Sequence, residues 1–145
     1  MIDLNEKDEI DLRSEEECFP AVDHGVQILG DRILVQLRRE KNKSKGGIIL
    51  VDETRQTLRF NETVAKVIQI GPLAYKNPDD LTPWPEGPWC QEGDLVRTIK
   101  YGGDRFVVNP DDDGAPVVFI TVQAREIISK IRDFAAAQKM KAFVD

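Results

Sequence analysis

Histidine is almost missing from this chain: His24 is the only one in 145 residues. It stands in an Asp23-His24-Gly25 turn context, and neither a catalytic triad nor a multi-histidine metal site can be assembled from it. Cysteine is nearly as scarce. Cys18 and Cys90 form no CxxC pair and cannot specify a disulfide framework, so both are expected as reduced thiols in a cytosol-like compartment. There is no phosphate-cradling GxxxxGK, no dinucleotide fingerprint following a strand, and no apolar run near the length of a membrane span. Carboxylates are plentiful, but no spacing singles out a catalytic pair. The expectation is therefore binding rather than catalysis: not an enzyme, with no cofactor and no metal.

What the chain does have is acid. Its formal net charge is -6, with 32% charged and 41% hydrophobic residues, which reads as one soluble domain plus tails. That balance opposes bulk affinity for nucleic acid or an anionic membrane, because neutralising phosphates supplies most of such binding. Asp3, Glu6, Asp8, Glu9, Asp11, Glu15, Glu16 and Glu17 crowd the first residues, where a transit peptide would be basic. Residues 1–20 are accordingly expected as a mobile acidic tail.

Beyond the tail, Ile33, Val35 and Leu37 alternate with Arg32, Leu34 and Gln36, the pattern of a strand with one strongly apolar face. Arg38, Arg39, Lys41, Lys43 and Lys45 follow without an interleaved aromatic, so they read as a solvated loop flank rather than a nucleic-acid patch. Strands are also expected at residues 64–70 and 93–99, and a hairpin at 105–108 and 117–122. The acids between the hairpin strands resemble a calcium loop, but Ile120 falls where a bidentate glutamate is required, and that reading is set aside. Residues 71–93 hold Pro72, Pro78, Pro83, Pro85 and Pro88 with Trp84 and Trp89. Proline that dense cannot sit inside a sheet, so this is an excursion, expected to fold on its own tryptophans. Its Pro85-Glu86-Gly87-Pro88 also fits a bare PxxP pattern, a weak signal. From Ala124 to about Lys141, Ile127, Ile131, Phe134 and Ala135 recur at helical spacing. The expected fold is all-β: a small irregular barrel carrying a flexible loop, a Pro/Trp-rich excursion and a C-terminal helix.

One stretch resists that bland reading. In Lys43-Ser44-Lys45-Gly46-Gly47-Ile48-Ile49-Leu50-Val51, two glycines that are costly to order precede four apolar residues. It is either a buried strand entered through a glycine turn or a loop displaying an apolar tip.

Several segments in order resemble the chaperonin-10 (GroES-like) co-chaperonins. Residues 27–35 look like the family's opening strand and residues 43–50 like its mobile loop. Residues 66–72, Gly93-Asp94-Leu95-Val96, Lys100-Tyr101-Gly102-Gly103, Val118-Phe119-Ile120 and Glu126-Ile127-Ile128 are similar to later elements. The resemblance spans roughly residues 26–132. It implies a seven-fold ring of GroES-like barrels, residues 21–132 in each, that caps the folding chamber of a chaperonin (GroEL-like) large subunit and encloses transient unfolded clients. It further implies a mobile loop at 43–58 docking through Gly46, Gly47, Ile48, Ile49 and Leu50, Tyr101 near the cavity wall, and Trp84 and Trp89 in the roof position at 71–93. Residues 133–145 are then a helical extension. Gln27 and Ile28 in place of Arg-Pro, Val51 in place of proline and Ala65 in place of glycine mark a divergent member, with a viral source one option. The competing expectation is a structural or virion component that uses the barrel without meeting a chaperonin.

Overall fold

The computed structural model describes residues 10–40, 62–110 and 114–140. Six antiparallel strands form one sheet: β1 (Arg32–Leu37), β2 (Val64–Ile70), β3 (Leu95–Thr98), β4 (Asp104–Val108), β5 (Val117–Gln123) and β6 (Ile127–Lys130). Their spatial order is β4-β5-β1-β2-β3-β6, which puts β1 and β2 at the centre. Two short helices flank them, α1 (Glu15–Cys18) and α2 (Phe134–Gln138). This is the small, irregular barrel-type β fold expected from the strand spacing.

Alternation decides which side chains fill the interior. Ile33, Val35 and Leu37 of β1 meet Ala65 and Val67 of β2, Val96 of β3, Val118, Ile120 and Val122 of β5 and Ile127 of β6 in a single core. Register holds them together: Val35 pairs with Val67 on one side and with Ile120 on the other. The second face of β1 is also covered. Leu34 packs with Ile28, Val117 and Phe119, Phe106 stacks on Phe119 at 5.4 Å, and Gln36 donates through Nε2 to the Pro20 carbonyl at 2.9 Å. The lead-in at residues 19–28 thus serves as a cover, which is why every residue of β1 after Arg32 is buried.

Two expectations need correction. The mobile acidic tail is expected over residues 1–20, yet Asp11, Cys18 and Phe19 are buried. Cys18 and Phe19 join Val64, Leu95, Ile131 and Ala137 in a second apolar cluster. Three acids conceal this because they lie in the first turn of α1, where negative charge suits the helix dipole, and Ser14 and Glu17 close a reciprocal capping box. The long helix expected from Ala124 is instead a 3-10 turn (Ala124–Glu126), strand β6 and then α2. Ile127, Ser129 and Lys130 pair with Thr98, Arg97 and Val96 of β3, and Asp133 starts the helix afresh by accepting from the Ala136 N–H at 2.8 Å.

Candidate functional site

Residues 41–61, including Gly46, Gly47, Ile48, Ile49 and Leu50, lie outside the described residues, so the site is built from the two ends that hold them. The outgoing end is Arg38, just past β1, and the returning end is Glu62, just before β2. Both side chains are buried, and they form a two-pronged ion pair: Nε to Oε1 at 2.8 Å and Nη2 to Oε2 at 3.2 Å. Glu62 Oε2 also accepts the backbone N–H of Thr63 and of Val64, at 3.1 and 3.0 Å. Arg38 spends its third donor, Nη1, on the Ala137 carbonyl of α2 at 2.8 Å. Charges withdrawn from water must be paired and their remaining lone pairs and protons satisfied, and this pair meets that condition.

Arg39 is fastened separately. Its N–H donates to the Cys18 carbonyl at 2.8 Å and its Nε to the Ala115 carbonyl at 2.7 Å. A Cβ at Gly114 would meet the Arg39 guanidinium, which would have to shift to admit it. The two flanks also hold each other, since the Asp11 N–H donates to the Gln138 carbonyl at 2.8 Å. Arg13 pairs with Asp11 at 2.7 Å beside them. Burial pushes the Cys18 thiol up to about 12, well above ordinary thiols, which keeps it neutral and unreactive at this end of the barrel.

The solvated flank expected at Arg38 and Arg39 is therefore corrected for those two residues, which are structural donors. One signal was in the sequence: an acid, Glu62, stands at the returning edge of the same segment that a basic pair leaves.

At the opposite end of β1, the excursion at 71–93 closes on aromatic rings. Trp84 and Trp89 lie 5.4 Å apart, and Tyr75 sits 5.4 Å from Trp84 and 5.5 Å from Trp89. Tyr75 donates its hydroxyl to the Ala124 carbonyl at 2.9 Å and lies 3.5 Å from Cys90 Sγ. Burial raises both of those acids above their usual range. Beside the rings lies a cavity of about 200 Å³ lined in part by Asp31, Leu73, Lys76, Trp84 and Arg125. Gly71 seats the excursion on the barrel: its N–H donates to the Arg32 carbonyl at 2.8 Å, and a Cβ there would strike the Gly30 and Arg32 carbonyls. Tyr101 is not part of this cluster. It lies in the β3–β4 turn, 77% exposed, with Lys100 Nζ 5.3 Å from its ring centre.

Among the described residues no three or more His, Cys, Asp or Glu are grouped to hold a metal ion, and no helix is long and apolar enough to cross a membrane. What the geometry defines is a β scaffold that holds, through Arg38, Arg39 and Glu62, the residues bordering the 41–61 segment. The chain belongs to the chaperonin 10 kDa subunit family, which it matches over residues 25–131. It is similar to the co-chaperonin GroES of Chlamydia pneumoniae, 30% identical over 107 residues that span 74% of this chain and 91% of that protein. It is also similar to the GroES of Lactobacillus acidophilus, 32% identical over 78 residues (54% and 74% of the two chains). A third relative, the GroES of Thermosipho melanesiensis, is 28% identical over 108 residues (74% and 98%).

Proposed function

We propose that this protein is a cytoplasmic co-chaperonin that caps the folding chamber of a GroEL-like chaperonin reversibly and in step with the partner's nucleotide state. Family membership over residues 25–131 is the observation that carries the reading. The buried Arg38–Glu62 pair supports it, because it anchors the segment in which the family's docking tripeptide would fall. In this reading Gly46 and Gly47 lead into Ile48, Ile49 and Leu50, which enter an apolar groove on the large subunit. Trp84 and Trp89 belong to the roof position and Tyr101 to the cavity wall, where unfolded clients are enclosed.

The energetics favour a ring. Burying Ile48, Ile49 and Leu50 contributes about 1.5 to 3 kcal/mol each. Each residue fixed on docking costs about 1 to 2 kcal/mol, so ordering only the few residues in contact already consumes most of that gain. A single copy binds weakly, whereas copies joined in a ring, seven by the family's pattern, raise the overall affinity by factors of about 10² to 10⁴. Such a lid holds firmly when every groove is offered and leaves when the partner changes shape.

The test is native mass spectrometry of the free protein and of its mixture with a chaperonin, with and without ATP. The expected result is a ring that joins the chaperonin only with nucleotide, and an Ile49→Asp ring that stays intact and no longer joins. Wild-type capping by Ile49→Asp refutes the tripeptide assignment. A ring that ignores chaperonins under all conditions favours a structural or virion role.

A further inference from the structure

Two short helices outside the family match converge on one place. Residues 10–24 precede that match and residues 132–140 follow it, yet α1 and α2 meet at the base of the 41–61 segment, far from either in sequence. The Cys18 carbonyl ends on Arg39 and the Ala137 carbonyl on Arg38. Cys18, Phe19, Phe134, Ala136, Ala137 and Met140 supply the apolar contacts beneath.

We infer that these two flanks form a collar, and that Arg38 and Glu62 are positioning residues that use it to fix both ends of the chaperonin-docking segment. The inference rests on the capping reading for its consequence and on the structure for its mechanics. A segment whose ends are pinned at a set distance and direction has fewer arrangements to lose when it docks than one whose ends fray into β1 and β2. The collar thereby strengthens each contact without touching the partner. Around a ring the gain recurs at every copy, so a small loss per subunit becomes a large loss for the assembly.

Capping residues give a mild way to loosen the collar in the full chain. Asp133→Ala removes the cap of α2 and Ser14→Ala breaks the capping box of α1; neither residue belongs to the apolar clusters of the barrel. Arg38→Lys keeps the charge and loses the fork geometry. Hydrogen exchange is read at the amides of Arg38, Arg39 and Val64 against that of Val35 in the middle of β1. The Asp133→Ala/Ser14→Ala protein and Arg38→Lys are each expected to exchange at least ten-fold faster at the three root amides, with Val35 changed much less. General destabilisation would move all four together. Affinity for an ATP-loaded chaperonin is expected to fall at least five-fold in the same proteins, below their unfolding temperature. Unchanged root exchange overturns the collar, whether or not any chaperonin binds. Faster root exchange with unchanged affinity overturns its role in docking. If the wild-type protein binds no chaperonin while root exchange responds as expected, the capping reading fails and the docking consequence falls with it, while the mechanical collar stands.

Discussion

The two ends of β1 are secured by opposite chemistries. Where β1 ends, a buried charge pair, backbone carbonyls from α1 and α2 and an arginine wedged against Gly114 hold the chain through directional bonds. Where β1 begins, three aromatic rings and one phenol hydroxyl close the excursion, and two residues there, Tyr75 and Leu81, hold left-handed backbone at φ 59° and 63°. Directional bonds between charges tolerate little displacement, whereas ring contacts are individually weak and permit sliding. The difference teaches where rigidity is needed. The charged end holds Arg38 and Glu62 in one geometry, as the docking proposal requires, whereas the aromatic end closes through ring contacts.

The strongest way to break this comparison is to unpair the charged end. Arg38→Met leaves Glu62 buried without its partner and the Ala137 carbonyl without its donor, and is expected to cost about 3 to 5 kcal/mol in urea unfolding. Arg38→Met with Glu62→Gln is expected to recover part of that loss, because the amide oxygen still accepts from Thr63 and Val64 and the stranded charge is gone. A single variant costing less than about 1 kcal/mol would mean that the pair is as dispensable as a surface ion pair.

That pair also marks the limit of what the sequence discloses. Period-two alternation places β1, β2, β3 and the β4–β5 hairpin, because core-facing residues such as Ile33, Val35 and Leu37 recur at every second position even where the other face is also covered. It failed where local pattern and tertiary pairing disagree. Ile127 and Ile131 are spaced as on a helix, yet the free edge of β3 offered partners that drew the segment into β6. The acids of α1 looked solvated, and only packing shows that Cys18 and Phe19 carry the helix inward. Arg38 and Glu62 are separated by the whole 41–61 segment, and no periodicity links two residues whose contact exists only after the barrel closes. The stretch holding Ile48, Ile49 and Leu50 stands out in the sequence by its glycines and apolar run, its proposed docking role follows only from resemblance, and it lies outside the described residues.

A milder challenge addresses the aromatic end. Tyr75→Phe keeps the ring among Trp84 and Trp89 and removes only the hydroxyl, leaving the buried Ala124 carbonyl without that donor. The expected loss is about 1 to 3 kcal/mol by urea unfolding, with tryptophan fluorescence little changed because the ring cluster remains. If instead the emission shifts strongly while stability holds, the hydroxyl rather than the rings sets the geometry of the excursion.

The smallest expected effect runs in the other direction and separates backbone strain from packing. Leu81 is 52% exposed, its N–H donates to the Asn77 carbonyl at 2.8 Å, and its φ of 63° suits glycine better than a side chain with a Cβ. Holding a leucine there costs about 1 to 2 kcal/mol relative to ordinary backbone. Glycine relieves that strain but adds freedom to the unfolded chain, worth roughly 0.5 to 1 kcal/mol, and gives up the contacts of a half-exposed side chain. Leu81→Gly is therefore expected to raise stability slightly, by about 0.5 kcal/mol, measured as the shift in urea midpoint. A loss above about 1 kcal/mol would show that Leu81 holds the excursion by packing beside the cavity it lines with Trp84 and Arg125. The aromatic end would then depend on placed contacts as much as the charged end does, and the contrast between them would narrow.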